Sequence, residues 1–172
     1  MTAKLKRGIT KVKDPGSALT HFIAMILAII AAIPLLSKAG HDSGHMRISA
    51  LAIFILSMIG LYAASTIYHT LDISPKINKL LRKIDHMMIF ILIAGTYTPV
   101  CMIVLGDKTG WTMLTLVWGI AIVGILINAL WITCPKWFSS LIYIAMGWVC
   151  ILAITKILSS MPRAGFMWLL AG

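Results

Sequence analysis

Three short stretches carry the side chains able to do chemistry: Ser65-Thr66-Ile67-Tyr68-His69, Asp85-His86, and Gly95-Thr96-Tyr97-Thr98-Pro99. All lie within or beside long apolar runs, where ionisable groups are costly to bury and mark functional sites by default. Ser65 and His69, four residues apart, share one face of a helix. An imidazole there can ligate a metal or act as a base, and a hydroxyl one turn away can hold a water or orient the ring. Asp85 can ligate, bond a histidine N–H, or take a proton from a metal-bound water. Asp14 and His21, seven apart, form another pair on one face. Adjacent Asp85 and His86 point about 100° apart around a helix, so one of them faces the site. The pattern points to a metal site near the cytoplasmic face.

Each residue also has a plainer role. His21 and His86 fit as interfacial imidazoles, Ser65 can bond back to the carbonyl of Leu61, and Asp85 can serve as a helix N-cap. Gly95 and Pro99 fit a packing kink in which Thr96 satisfies the carbonyls that proline frees. His41 and His45 belong to a polar loop on the opposite side. Eleven methionines without a Met-x-x-Met repeat read as packing filler.

The elements that must position these groups follow from composition. Of 172 residues 60% are hydrophobic and 12% charged, far from the soluble average of about 25% charged. This is an all-α, polytopic transmembrane helix bundle in a single domain. Spans are expected at about 17–37, 48–70, 84–105, 111–132 and 137–158, each long enough to cross about 30 Å of hydrocarbon. A sixth apolar run, 164–172, is too short to span, so the sequence reads as stopping within a helix. Asp14-Pro15 supplies an N-cap and a first-turn proline for the first span, and Pro34 should bend its last turn. Residues 71–83, with Lys76, Lys79, Arg82 and Lys83 around Ile77, Leu80 and Leu81, read as a short amphipathic segment on a headgroup surface. Trp111, Trp131 and Trp137 fall at span ends.

Charge sets the orientation. There are fifteen Lys and Arg against five Asp and no Glu. With the basic 1–13 tail inside, inner segments hold ten cations and outer ones five, which places the N-terminus in the cytoplasm. Because the cations cluster in short loops, membrane lipids are the expected partners and nucleic acid is not. The sequence leaves oligomeric state open. Three cysteines without a CxxC pair argue against a disulfide framework or a thiol zinc site. With this topology His21, Ser65, His69, Asp85 and His86 reach similar depth.

Lys13-Asp14-Pro15-Gly16-Ser17-Ala18-Leu19-Thr20-His21, Ser65 to His69, Lys83-Ile84-Asp85-His86 and Ala94 to Pro99 together resemble the hemolysin III family, the bacterial branch of the progestin and adiponectin receptor superfamily. The likeness covers essentially the whole chain in order. It implies a seven-helix bundle in the bacterial cell membrane and a zinc site near its cytoplasmic end. Carried over, His69 is a zinc ligand with Ser65 and Asp85 around the metal-bound water, Asp85 acting through that water. Asp14 occupies the place of an acidic residue common before the first span, and Ser17 stands where Asn is frequent. Two further ligands of the family, in a His-x-x-x-His motif on the last helix, have no counterpart in this sequence, so the zinc site is incomplete here and the chain reads as truncated.

The polar cluster at one depth motivates, as a first hypothesis, a zinc-dependent hydrolase of a lipid amide or ester, with Asp85 taking a proton and Ser65 positioning the nucleophile. Two alternatives are a cytolysin or membrane-homeostasis protein, and a receptor-like protein that keeps a structural metal without chemistry. A pore needs polar lumen stripes, and the fourth and fifth spans are apolar nearly all round.

Overall fold

A computed structural model describes residues 12–42, 44–131 and 136–171; Cys134 and the tail before Val12 lie outside the described residues. Described residues outside the turns are helical: α1 (Pro15–Asp42), α2 (His45–Thr70), α3 (Pro75–Pro99), α4 (Lys108–Leu130), α5 (Lys136–Trp148), α6 (Ile154–Ser160) and α7 (Arg163–Ala171). A wider π-helical turn, Val100–Leu105, prolongs α3, and a tight 3-10 turn, Val149–Ala153, joins α5 to α6. Five segments are long and apolar enough to cross a membrane, Pro15–Gly40, His45–Thr70, Pro75–Leu105, Lys108–Leu130 and Trp137–Ser160.

The bundle is inside out compared with a soluble protein. Ile33, Leu56, Leu130 and Leu152 are each at least two-thirds exposed, which suits side chains facing lipid tails. The buried contacts use small residues: Ala18, Ala28 and Ala39 on α1, and Ala50 and Ser57 on α2. Small side chains let helix backbones approach closely where no hydrophobic force drives association. The larger core lies between α3, α4 and α5, around Phe90, Val117 and Met146.

The amphipathic stretch differs from its sequence reading. Pro75 and the Ser74 cap, whose hydroxyl accepts from the Ile77 amide at 3.3 Å, start a helix that runs unbroken through Asp85. Proline is well placed at a first turn and no breaker follows. The four cations thus sit on the opening turns of α3 itself, and Lys83 Nζ donates to the carbonyl of Ala129 at 3.0 Å, near the C-terminal end of α4.

Pro99 closes α3. It has no N–H to give Gly95, and the backbone relaxes into the π turn, ended by Gly106 in the left-handed region (φ 60°), whose amide bonds the Cys101 carbonyl at 3.1 Å. The Thr96 hydroxyl bonds Ile93 O and that of Thr98 bonds Ala94 O, so neither reaches the Gly95 carbonyl.

The fifth span is also discontinuous. At its break the Tyr97 hydroxyl accepts from the Cys150 amide at 3.0 Å and faces the carbonyls of Met146 and Gly147 at 2.8 Å each. One phenol from α3 thereby satisfies backbone groups that an unbroken helix would pair within itself.

At the end of the bundle away from Pro15, Asp107 caps α4 through the amides of Thr109 and Gly110 and pairs with Lys156 of α6. The Lys156 ammonium, followed by the Gly110 amide, holds the Asp107 carboxyl below the usual carboxylate range. Because its folded value is depressed, this contribution is present at neutral pH and is lost as the pH falls below about 4. Both side chains are about two-fifths exposed, so the effect is screened by solvent and small. Lys156→Met should therefore flatten the acid limb of a thermal-stability curve without moving the neutral plateau far; an unaltered acid limb would remove the pair from the acid response.

Candidate functional site

The chain turns between α2 and α3 through Leu71–Ser74 and enters α1 at Asp14, so Asp14, Thr70 and Pro75 lie at one end of the bundle. A backbone strap sets that geometry. The Asp14 amide bonds the His69 carbonyl at 2.9 Å and the Lys13 amide bonds Thr70 O at 3.4 Å, satisfying carbonyls that a helix C-terminus leaves open. Lys13 Nζ rests 3.5 Å above the centre of the Tyr68 ring, a cation–π contact that secures the strap.

Asp14 is the N-cap of α1. Its carboxylate accepts from the Ser17 hydroxyl at 2.7 Å and lies 3.2 Å from His69 Nδ1. The hydrogen bonds from Ser17, ahead of the charge of His69, hold the Asp14 carboxyl below the ordinary carboxylate range. Two turns along α1, His21 Nδ1 sits 2.7 Å from Ser65 Oγ. The His21 ring stands edge-on to His69 at 5.6 Å and near Tyr62 at 6.0 Å. Ser65 is 4% exposed, and its hydroxyl faces a neighbouring helix instead of Leu61.

From α3, Asp85 enters the same space. It is 9% exposed, and Ser65, His86 and His69 are its polar neighbours. It lies in the third turn of α3 and is therefore no N-cap. His86 Nδ1 approaches the Asp85 carboxylate to 3.5 Å, too long and poorly aimed for a hydrogen bond, and that buried nitrogen has no hydrogen-bond partner. The His86 backbone carbonyl accepts from the Tyr143 hydroxyl of α5 at 2.8 Å.

The structure thus brings Asp14, His21, Ser65, His69, Asp85 and His86 together from three helices. Gly95 and Pro99 lie farther along α3. Gly95 is buried against Ser57 of α2, where a Cβ would stand 2.2 Å from Ser57 Oγ, and it sets how closely α2 and α3 approach. Sequence reasoning overlooked Ser57, Tyr97's place in the α5–α6 break and the Lys156–Asp107 pair. Gly147 next to the break is the one sequence signal for the second of these.

The family model described as haemolysin-III related matches residues 9–172 of this chain. The chain belongs to the haemolysin-III-related family. It is 39% identical over 173 residues to "Hemolysin-3" of Bacillus cereus, an alignment covering 100% of this chain and 78% of that protein. It is 35% identical over 160 residues to "Hemolysin-3 homolog" of Bacillus subtilis (strain 168), covering 93% of this chain and 75% of that protein. No solved structure matches it. With five long apolar helices, this haemolysin-III relative is a multi-pass membrane protein.

A zinc ion is the cofactor the family resemblance implies, and its fit can be tested on the donor set. Nδ1 of His69 faces Asp14, leaving Nε2 for a metal. Among the described residues no three His, Cys, Asp or Glu side chains are arranged to hold a metal ion, whereas a catalytic zinc takes three protein ligands plus water. Three imidazoles and two carboxylates lie in the cluster, but no three of them converge on one point among the described residues, so they do not complete a zinc site, and no chemical step is assigned to the metal.

Proposed function

We propose that this haemolysin-III-related protein is a hydrolase of a lipid amide or ester, that it lies in the bacterial cell membrane with its N-terminus cytoplasmic, and that membrane lipids are its partners. The observation that carries this reading is the convergence of Ser65, His69 and Asp85 from two helices at one end of an otherwise apolar bundle, with Asp14 and His21 of a third helix bonded to them. Ionisable groups are retained in such surroundings where function requires them. His69, whose Nδ1 faces Asp14, presents Nε2 towards the reacting centre. Asp85, an acceptor only when ionised, takes a proton from an attacking water. Ser65, held by His21, positions that water or the lipid carbonyl.

The relatives' name speaks of haemolysis, but a pore needs a polar lumen. Val123, Leu126, Ile127, Leu130 and Trp131 line an apolar groove on α4, which gives a water-filled path no support.

The test is turnover of fluorogenic lipid amides and esters by the full-length protein reconstituted in vesicles. The expected result is hydrolysis that falls in His69→Ala. Absence of turnover of either lipid class overturns the hydrolase reading, and turnover indifferent to His69→Ala removes that residue from the site.

A further inference from the structure

The spacing of the contacts between α1 and α2 goes beyond a general clustering of polar groups. Asp14 and His21 occupy one face of α1 at i and i+7, Ser65 and His69 one face of α2 at i and i+4, and the helices are antiparallel. Asp14 meets His69 at 3.2 Å and His21 meets Ser65 at 2.7 Å. Each functional side chain of α2 therefore has its own partner on α1. We propose that α1 is a positioning element that fixes the tautomer of His69 through Asp14 and the hydroxyl of Ser65 through His21.

The chemistry of the partners decides which proton sits where. An ionised carboxylate only accepts hydrogen bonds. A neutral His69 facing Asp14 through Nδ1 must carry its proton there, which leaves the lone pair on Nε2. Ser65 has a single proton, and the ionised carboxylate of its neighbour Asp85 is a stronger acceptor than a neutral imidazole. On the proposed arrangement that proton goes to Asp85, and His21 Nδ1 then donates to Ser65 Oγ across their 2.7 Å contact, which makes His21 the Nδ1–H tautomer as well. The strap is what holds Asp14 in place: its own amide is bonded to the carbonyl of His69, the residue whose ring its carboxylate holds, and Ser17 anchors the same carboxylate at 2.7 Å. Its consequence for catalysis rests on the hydrolase reading; the tautomer assignment does not.

The experiment is nitrogen NMR of the full chain labelled with 15N-histidine in detergent micelles at about pH 8, where ordinary imidazoles are neutral. Protonated and unprotonated ring nitrogens are resolved, so each histidine reports its tautomer without reference to activity. The expected result is that His69 and His21 are both predominantly Nδ1–H. Asp14→Ala should lower that ratio for His69 by about tenfold or more, the factor carried by a hydrogen bond to a charged group, and leave His21 unchanged. Ser65→Ala should do the converse. Should Asp14→Ala fail to fold, Asp14→Asn keeps the shape and offers a neutral acceptor roughly half as strong, and a smaller fall for His69 alone is expected. A predominantly Nε2–H His69 in the unaltered protein, a ratio unmoved by either Asp14 variant, or both rings moving together in every variant would overturn the proposal. The expected tautomers without any lipid turnover would remove the hydrolase reading and leave this one standing.

Discussion

Asp85→Asn is expected to lower turnover of a lipid amide or ester by about 10²- to 10⁴-fold, the range carried by a positioned proton acceptor, while the bundle stays folded. The substitution keeps the volume and one acceptor oxygen of a side chain that is 9% exposed, so no cavity opens and Ser65 and His86 keep a polar neighbour. What it removes is the ability to take up a proton. Turnover in vesicles and helix content by circular dichroism should be measured on the same preparation. Unchanged turnover at unchanged helicity would take Asp85 out of the chemistry and leave it the bland role of a buried partner to Ser65.

The second large effect is expected on packing. A Cβ at Gly95 would stand 2.2 Å from Ser57 Oγ, 2.8 Å from Ser57 Cβ and 3.6 Å from the Ile53 carbonyl. Ser57 cannot simply rotate away, because its Cβ is part of the clash and its hydroxyl is bonded to Phe54 O at 2.7 Å. In an unpacked helix, replacing glycine by a larger residue would gain up to about 1 kcal/mol of propensity. Overpacking of this kind costs about 1–3 kcal/mol, occasionally more, so the clash wins. Gly95→Val should destabilise the detergent-solubilised protein by about that amount. It should also lower turnover, since α2 carries Ser65 and His69 and α3 carries Asp85. Ser57→Gly in the same chain should restore much of the loss, because neighbours in contact couple by about 0.5–3 kcal/mol. A Gly95→Val protein with an unshifted melting midpoint would mean that α2 and α3 are not held at this spacing.

How much of this was legible beforehand differs between the fold and the site. Hydropathy and length located all five long apolar segments, because lipid imposes about twenty consecutive apolar residues on any spanning helix. Asp14-Pro15 announced the start of α1 because capping chemistry is local. The polar residues could be assigned a common depth, since rise per residue is fixed. Residues 71–83 were misread because cations at i, i+3 and i+7 describe equally well a helix lying on a headgroup surface and the first turns of a longer one. Only the unbroken backbone from Pro75 through Asp85 distinguishes the two.

The sequence by itself determined the class of molecule, its helices and which residues are too polar to be there by chance. It could not decide who meets whom. Asp14 with His69, His21 with Ser65, Tyr97 with the break before Cys150 and Lys156 with Asp107 are pairs whose members stand 44 to 55 residues apart in the chain, the Asp14 and His69 separation being 69 − 14. Periodicity tells which face of a helix a side chain occupies, but its partner depends on the rotation and spacing of the facing helix. Those are set by small-residue contacts such as Gly95 against Ser57 and by proline-relaxed turns such as Val100–Leu105, and they exist only once the helices have packed.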